Sequence, residues 1–198
     1  MQDIQILIVE DEKKIADSLS QGLRENSFQT QVAYDGNLGL SLFKGGVFQL
    51  VILDINLPRL NGYDLCRMIR DINPAIPVIM LTAMSSVDNK IEGFDAGADD
   101  YITKPIKPQL FISRVNALLR RHSEQSTPGN STIKISDLLI DREQFIVLKQ
   151  GQKIVLPKKE FELLYLLASK PSRVFTREEI LSKIWGDNVV VGDRTIDV

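Results

Sequence analysis

The chain of 198 residues contains one cysteine, one histidine and one tryptophan. A single thiol, Cys66, cannot close an internal disulfide, and a single imidazole, His122, cannot supply a His-rich metal centre or easily anchor a Ser-His-Asp triad. Long apolar runs are also missing. Within the first hundred residues none is longer than the four of Leu50 to Leu53, far short of a bilayer span. The start, Met1-Gln2-Asp3, lacks the basic-then-apolar layout of a secretory signal, so a cytoplasmic protein with no membrane contact is expected. No excess of one charge exists either: 24 Lys+Arg face 26 Asp+Glu, for a net charge of −2. Residues 1–122 carry 13 against 15 and residues 123–198 carry 11 against 11, so neither part has the basic footprint that announces a nucleic-acid binder by composition alone. With 43% hydrophobic and 25% charged residues, the remainder is an ordinary globular composition, long enough for one large or two small domains.

Through residue 121 the chain alternates strand-like and helix-like segments. Ile4 to Val9 is apolar and rich in β-branched residues, and after it Ile15, Leu19 and Leu23 recur every fourth position on one helix face. The unit repeats with Thr30 to Tyr34 then Gly36 to Lys44, Leu50 to Asp54 then Gly62 to Asp71, Pro77 to Leu81 then Ser86 to Ala96, and Tyr101-Ile102 then Pro108 to Arg121. Five such units predict a doubly wound five-stranded parallel sheet with helices on both faces, an α/β fold whose ligands gather at the carboxyl ends of the strands. Cys66 and Met68 are expected in the core. His122–Ser131 is polar, turn-rich and aperiodic, the pattern of a linker. Beyond it, Ile133 to Ile135, Leu138 to Ile140, Phe145 to Leu148 and Ile154 to Leu156 predict a small antiparallel sheet. Two helices follow, one opening at Pro157-Lys158-Lys159-Glu160 and one at the capping box Thr176-Arg177-Glu178-Glu179.

Assembling the strand ends brings Glu10 and Asp11 beside Asp54, with Thr82 and Lys104 at the ends of the fourth and fifth strands. Three crowded carboxylates repel one another unless a hard cation sits among them, and Mg²⁺ suits an all-oxygen site. Carboxylates, a hydroxyl and an ammonium in one pocket suit phosphoryl transfer to a carboxylate. Taken singly, each residue also has a plainer explanation: Glu10-Asp11-Glu12 as acids favouring a helix start, Asp54 as a solvated loop residue, Thr82 as a strand former and Lys104 as a surface charge. Their coincidence at four strand ends speaks against that.

Together, Glu10-Asp11-Glu12, Leu53-Asp54-Ile55-Asn56-Leu57-Pro58, Asn61-Gly62, Leu81-Thr82-Ala83, Gly97-Ala98-Asp99-Asp100-Tyr101 and Lys104-Pro105 closely resemble the receiver domain of two-component response regulators. From Ile133 onward, Leu156 to Leu164, Thr176 to Leu181, Trp185-Gly186 and Asp193 to Val198 resemble the winged-helix effector domain of the OmpR/PhoB family. The resemblance implies a receiver over residues 1–121, a linker over 122–131 and a winged-helix DNA-binding domain over 132–198. It implies that Asp54 accepts a phosphoryl group from a sensor histidine kinase, that Asp11, Asp54 and the Asn56 carbonyl bind Mg²⁺, and that Glu10 holds the ion through water. Thr82 and Lys104 would contact the phosphoryl oxygens, Tyr101 would turn inward with Thr82, and Lys104-Pro105 would be cis. The protein would be a phosphoacceptor with at most slow self-catalysed phosphoryl transfer and dephosphorylation, not a turnover enzyme. Phosphorylation would drive a homodimer through Lys90, Ile91, Asp99, Asp100, Leu110, Phe111 and Arg114, and Arg194 and Thr195 would touch DNA phosphates.

The sequence departs from the family in two places. Leu110 stands where a Glu usually pairs with the basic residue at position 90, so one salt bridge of the usual dimer is missing. The resembling effector also normally continues past Arg194-Thr195-Ile196-Asp197-Val198 through a basic recognition helix and a hairpin, which implies a chain cut inside that helix and weak DNA binding. The rival functions are a signalling receiver acting through protein partners, with an effector that does not read DNA, and an aspartyl-nucleophile phosphatase. The phosphatase is disfavoured because such enzymes place a second carboxylate where Asn56 stands.

Overall fold

The computed structural model describes residues 4–83, 96–125 and 132–186. The chain forms two compact units, Met1–Ser126 and Thr127–Val198. In the first, β1 (Gln5–Val9), β2 (Gln29–Ala33), β3 (Leu50–Asp54), β4 (Val78–Thr82) and β5 (Asp100–Thr103) form one parallel sheet in the order β2-β1-β3-β4-β5. The helices are α1 (Lys13–Glu25), α2 (Gly36–Gly45), α3 (Gly62–Ile72) and α4 (Pro108–Gln125). Strands β3 and β4 are buried along their whole length, which is why they read as continuous apolar runs without alternation. Ile6, Ile8, Leu50, Ile52, Ile79, Leu81 and Ile102 form one core with Leu19 and Leu23 of α1 and Phe111, Val115 and Leu118 of α4. Phe111, expected on an exposed dimer face, is therefore a core residue at 2% exposure, while its neighbour Leu110 is exposed.

The helix read over Ser86 to Ala96 lies outside the described residues, apart from Ala96 itself. Met68 is exposed, unlike buried Cys66: two positions on, it is turned about 200° from Cys66 and so away from the face that α3 buries through Leu65, Cys66 and Ile69. The last turn of α4 runs to Gln125, four residues into the stretch read as linker. His122-Ser123-Glu124-Gln125 contains no helix breaker; the first, Pro128, lies beyond.

The second unit has a four-stranded antiparallel sheet of β6 (Thr132–Ile135), β7 (Leu138–Asp141), β8 (Ile146–Lys149) and β9 (Gln152–Ile154), in chain order. It is followed by α5 (Lys158–Ala168) and α6 (Arg177–Trp185). The register aligns Ile133, Ile140, Val147 and Ile154 across the four strands, a single apolar row that meets Phe161 of α5. Strand β9 starts and ends two residues earlier than the sequence pattern predicts. A two-residue turn at Gln150-Gly151, both at positive φ, already pairs Gln152 with Lys149, so Val155 and Leu156 fall beyond the strand. The capping box at Thr176 forms as read, with Thr176 Oγ1 accepting from Glu179 N at 3.2 Å and Glu179 Oε2 accepting from Thr176 N at 3.1 Å. Among the described residues no helix is long and apolar enough to cross a membrane.

Candidate functional site

Strand order reverses between β1 and β3, and the pocket lies at the carboxyl ends of these two strands. Their register pairs Ile6 with Leu50 and Ile8 with Ile52 on the core face. Two residues further, the same face presents Glu10 and Asp54. The carboxylates thus occupy positions that the core no longer fills. Glu10, Asp11 and Asp54 each bring an oxygen within 4.8 Å of the others. Glu10 and Asp54 are buried, at 0% and 3% exposure, whereas Asp11 opens to solvent.

Lys104, which directly follows β5 and is joined to Pro105 by a cis bond, reaches into this group. Its Nζ donates to Glu10 Oε1 at 3.0 Å and lies 2.9 Å from Glu10 Oε2 and 3.2 Å from Asp54 Oδ2. Burial pushes the Glu10 and Asp54 carboxyls above their ordinary values, with Lys104 opposing the rise and neighbouring carboxylates adding to it. Burial pulls the Lys104 ammonium down, but its hydrogen bond to Glu10 and the charges of Asp54 and Glu10 outweigh that and leave it raised. One cation therefore does not compensate the cluster.

Asp54 Oδ1 is buried without a hydrogen-bond partner. Such an oxygen beside two further carboxylates fits a hard divalent cation, which takes oxygen donors and would supply the missing charge. Asn56, two residues past Asp54, lies exposed in the β3–α3 loop. Thr82 is buried at the end of β4, and its carbonyl accepts from Lys104 N at 2.7 Å. Tyr101 points inward, 7% exposed, its hydroxyl 3.4 Å from Met80 Sδ.

The expected dimer residues divide. Asp100 is buried and engages Arg114 of its own chain, Nη1 donating to both carboxylate oxygens at 2.6 and 2.7 Å. Asp99 is also buried rather than on that face. It accepts from Arg70 Nη2 at 2.6 Å and from Val78 N at 2.9 Å, because Arg70 in the last turn of α3 also donates to the carbonyls of Gly97 and Ile76 and draws the turn before β5 inward. Lys90, Ile91, Arg194 and Thr195 lie outside the described residues. Two participants went unassigned in the sequence. Glu12 reaches within 3.9 Å of Lys104 and was visible as the third acid of its run, whereas no spacing marks Arg70 as the partner of Asp99.

Comparison with known proteins agrees with this geometry. Residues 6–116 match the response regulator receiver domain family, and residues 151–198 match the family described as transcriptional regulatory protein, C terminal. The response regulator ArlR of Staphylococcus aureus is 40% identical over 194 residues, covering 98% of this chain and 86% of the relative. The crystal structure of DrrB, a Thermotoga maritima OmpR/PhoB homolog, is similar with a TM-score of 0.59 and 36% identity over 96% of this chain and 83% of that one. A CheY-like receiver from Methanospirillum hungatei is similar to the first unit, with a TM-score of 0.61 and 30% identity over 63% of this chain and all of its own. The chain belongs to the OmpR/PhoB family of two-component response regulators, a receiver followed by a DNA-binding unit of the winged-helix type.

Proposed function

We propose that this protein is a phosphorylation-controlled transcriptional regulator in which Asp54 is the phosphoacceptor, with a sensor histidine kinase as donor. The observation that carries this reading is the buried, unpartnered Asp54 Oδ1 inside a three-carboxylate cluster that Lys104 bridges. An Asp54 oxygen attacks phosphorus in line. The O–P bond forms as the P–N bond to the kinase imidazole breaks, and the nitrogen keeps the electron pair and takes up a proton. Asp11, Asp54 and the Asn56 carbonyl would hold Mg²⁺, with Glu10 acting through water; when bound, the ion offsets the charge of the carboxylates and phosphoryl oxygens. Lys104 then exchanges its contact with Asp54 for a phosphoryl oxygen, and Thr82 donates its hydroxyl to another. The protein works in the cytoplasm and turns over no external substrate beyond slow transfer and hydrolysis at its own aspartate.

Residues 1–121 act as the receiver and 132–198 as the DNA-binding domain, the intervening residues joining them. Phosphorylation favours a homodimer that presents two DNA-binding units. Asp100 and Arg114 contribute there by changing partners, the intrachain pair opening toward a second copy, and Leu110 supplies exposed apolar surface. Intact-mass measurement after treatment with acetyl phosphate and Mg²⁺ tests the central step: one phosphoryl adduct is expected, absent from Asp54→Ala. An adduct of equal yield in that variant overturns the reading. Sedimentation of the beryllofluoride-treated protein tests the dimer, which Arg114→Glu should weaken.

A further inference from the structure

The β3–α3 loop, residues 55–61, carries Asn56, whose backbone carbonyl the proposed function makes an ion ligand beside Asp54. At its start Ile55 N donates to the Leu81 carbonyl of β4 at 3.2 Å, but past Ile55 the backbone bonds are local: Leu60 N donates to Pro58 O at 2.9 Å, and Gly62 N donates back to Ile55 O at 3.0 Å. Its outer side rests on the start of α2. Asp35, the N-cap of α2, uses one carboxylate oxygen to accept from Leu38 N at 2.9 Å and turns the other toward Arg59 Nη1 at 3.5 Å. Arg59 is held at φ 70°, in the left-handed region that a branched or long side chain seldom adopts. Next to it, Gly36 meets Leu60 so closely that a Cβ there would lie 2.6 Å from the Leu60 carbonyl oxygen and 2.8 Å from Leu60 Cβ.

We propose that the Asp35-Gly36 start of α2 is the seat of the metal-binding loop, so that Asp35, Gly36 and Arg59 are positioning residues for the Asn56 carbonyl although none of them touches the ion. This rests on the reading of Asn56 as a ligand. The absence of a side chain at 36 lets the loop close down, and the ion pair holds it there at a residue whose own backbone would relax elsewhere. Loss of a group that orients a metal ligand commonly weakens metal affinity about 10- to 100-fold.

The test is Mg²⁺ titration of the full chain by calorimetry, with the thermal midpoint measured alongside. Gly36→Ala has to displace the loop and is expected to bind Mg²⁺ about tenfold more weakly, as for lost orienting groups. Asp35→Asn keeps the N-cap acceptor but loses the ion pair; at low ionic strength it should bind about two- to threefold more weakly, a gap that closes in high salt because the pair is partly exposed. Arg59→Ala should match Asp35→Asn, and Arg59→Lys should recover most of the loss. Affinity within error of the parent in both Gly36→Ala and Asp35→Asn overturns the proposal, whatever happens to the midpoint. If Gly36→Ala does not fold, the Asp35→Asn and Arg59 variants decide alone. A parent chain that binds no Mg²⁺, or an Asp11→Asn variant that binds as well as the parent, overturns the ligand reading itself and the proposal with it.

Discussion

The two units spend their buried residues differently. In the first, β1, β3 and β4 are covered on both faces and carry a charged cluster at the end of a fully packed scaffold. In the second, no described strand is buried throughout, and among the described residues the core cluster is built on four buried ones, Ile140, Val147, Phe161 and Ala168. A thick core can hold unfavourable electrostatics in place, since the buried strands that carry Glu10 and Asp54 leave these carboxylates no route to solvent. In the thinner core the buried cation Lys159 is spent on packing: Nζ donates to Glu162 Oε2 at 3.0 Å and to the Ile184 carbonyl of α6 at 2.8 Å. Lys104 gathers carboxylates at the strand ends of one unit, and Lys159 joins helix to helix in the other.

The comparison breaks most sharply at Asp54. Asp54→Asn should abolish the phosphoryl adduct entirely while raising the thermal midpoint of the ion-free receiver, because a desolvated carboxylate is replaced by a neutral group and Lys104 keeps Glu10. Mass spectrometry and calorimetry on one preparation check both halves. A lowered midpoint would show that the charge supports the fold instead of burdening it.

In the second unit the largest effect should come from the core. Phe161 is buried at 2% exposure, with its ring centroid 4.8 Å from that of Phe145 and 6.4 Å from that of Tyr165. Phe161→Ala should cost about 3–5 kcal/mol, enough to unfold a domain with so small a core. Hydrogen exchange should then show protection lost across β6 to α6 while β1, β3 and β4 stay protected. Retained protection in β7 and β8 would mean that the small sheet is stabilised by more than its apolar row.

Much of this contrast was legible in the sequence. The five parallel strands and the carboxylates at their ends follow from periodicity and from the ordering of strands, which already places Glu10, Asp54 and Lys104 together. What the sequence hid depends on which way a side chain turns when two choices have equal polarity. Phe111 and Leu110 are adjacent and both apolar, and only the packing of α4 on the sheet assigns Phe111 to the core. Asp99 and Asp100 are adjacent and both acidic; the guanidinium that captures Asp99 comes from Arg70, 29 residues earlier, through three-dimensional placement alone. Turn geometry displaced β9 for a similar reason, because Gln150 adopts a positive φ that its side chain does not advertise.

The pH response sharpens the comparison, since only the receiver has buried carboxyls with raised values among the described residues. The folded chain holds protons on Glu10 and Asp54 at pH values where the unfolded chain has released them, so without an ion these groups add stability as pH falls through the window just above the ordinary carboxylate range. Mg²⁺ requires them deprotonated, so its affinity should fall over that same window. Lys104 acts at the other extreme: its contribution is present below the ordinary lysine value and lost as pH rises through its raised one. Calorimetric titration with Mg²⁺ at about pH 7.5 and again close to the ordinary carboxylate value, about pH 4.5, should show weaker binding at the acid end. Equal affinity would mean that the carboxyls ionise normally in the folded protein.

The smallest expected effect tests whether the second unit depends on local helix signals more than the first. Helix α6 starts at a complete capping box, and Arg173 Nη2 adds a contact to Glu179 Oε1 at 2.6 Å. Helix α1, by contrast, starts at Glu12 with no side-chain cap, and needs none because its Leu19 and Leu23 are locked into the receiver core. In a nine-residue helix too short to persist by itself, the cap is a larger share of what holds the first turn. Thr176→Ala should cost about 1 kcal/mol, the usual worth of an N-cap hydroxyl, whereas Glu12→Ala should leave the length of α1 unchanged. Amide exchange at Glu178, Glu179 and Ile180 against exchange at Ile15 and Ala16 measures the two helix starts directly. Faster exchange confined to the α6 start supports the contrast. Equal loosening at both starts would show that tertiary packing does no more for α1 than a single hydroxyl does for α6.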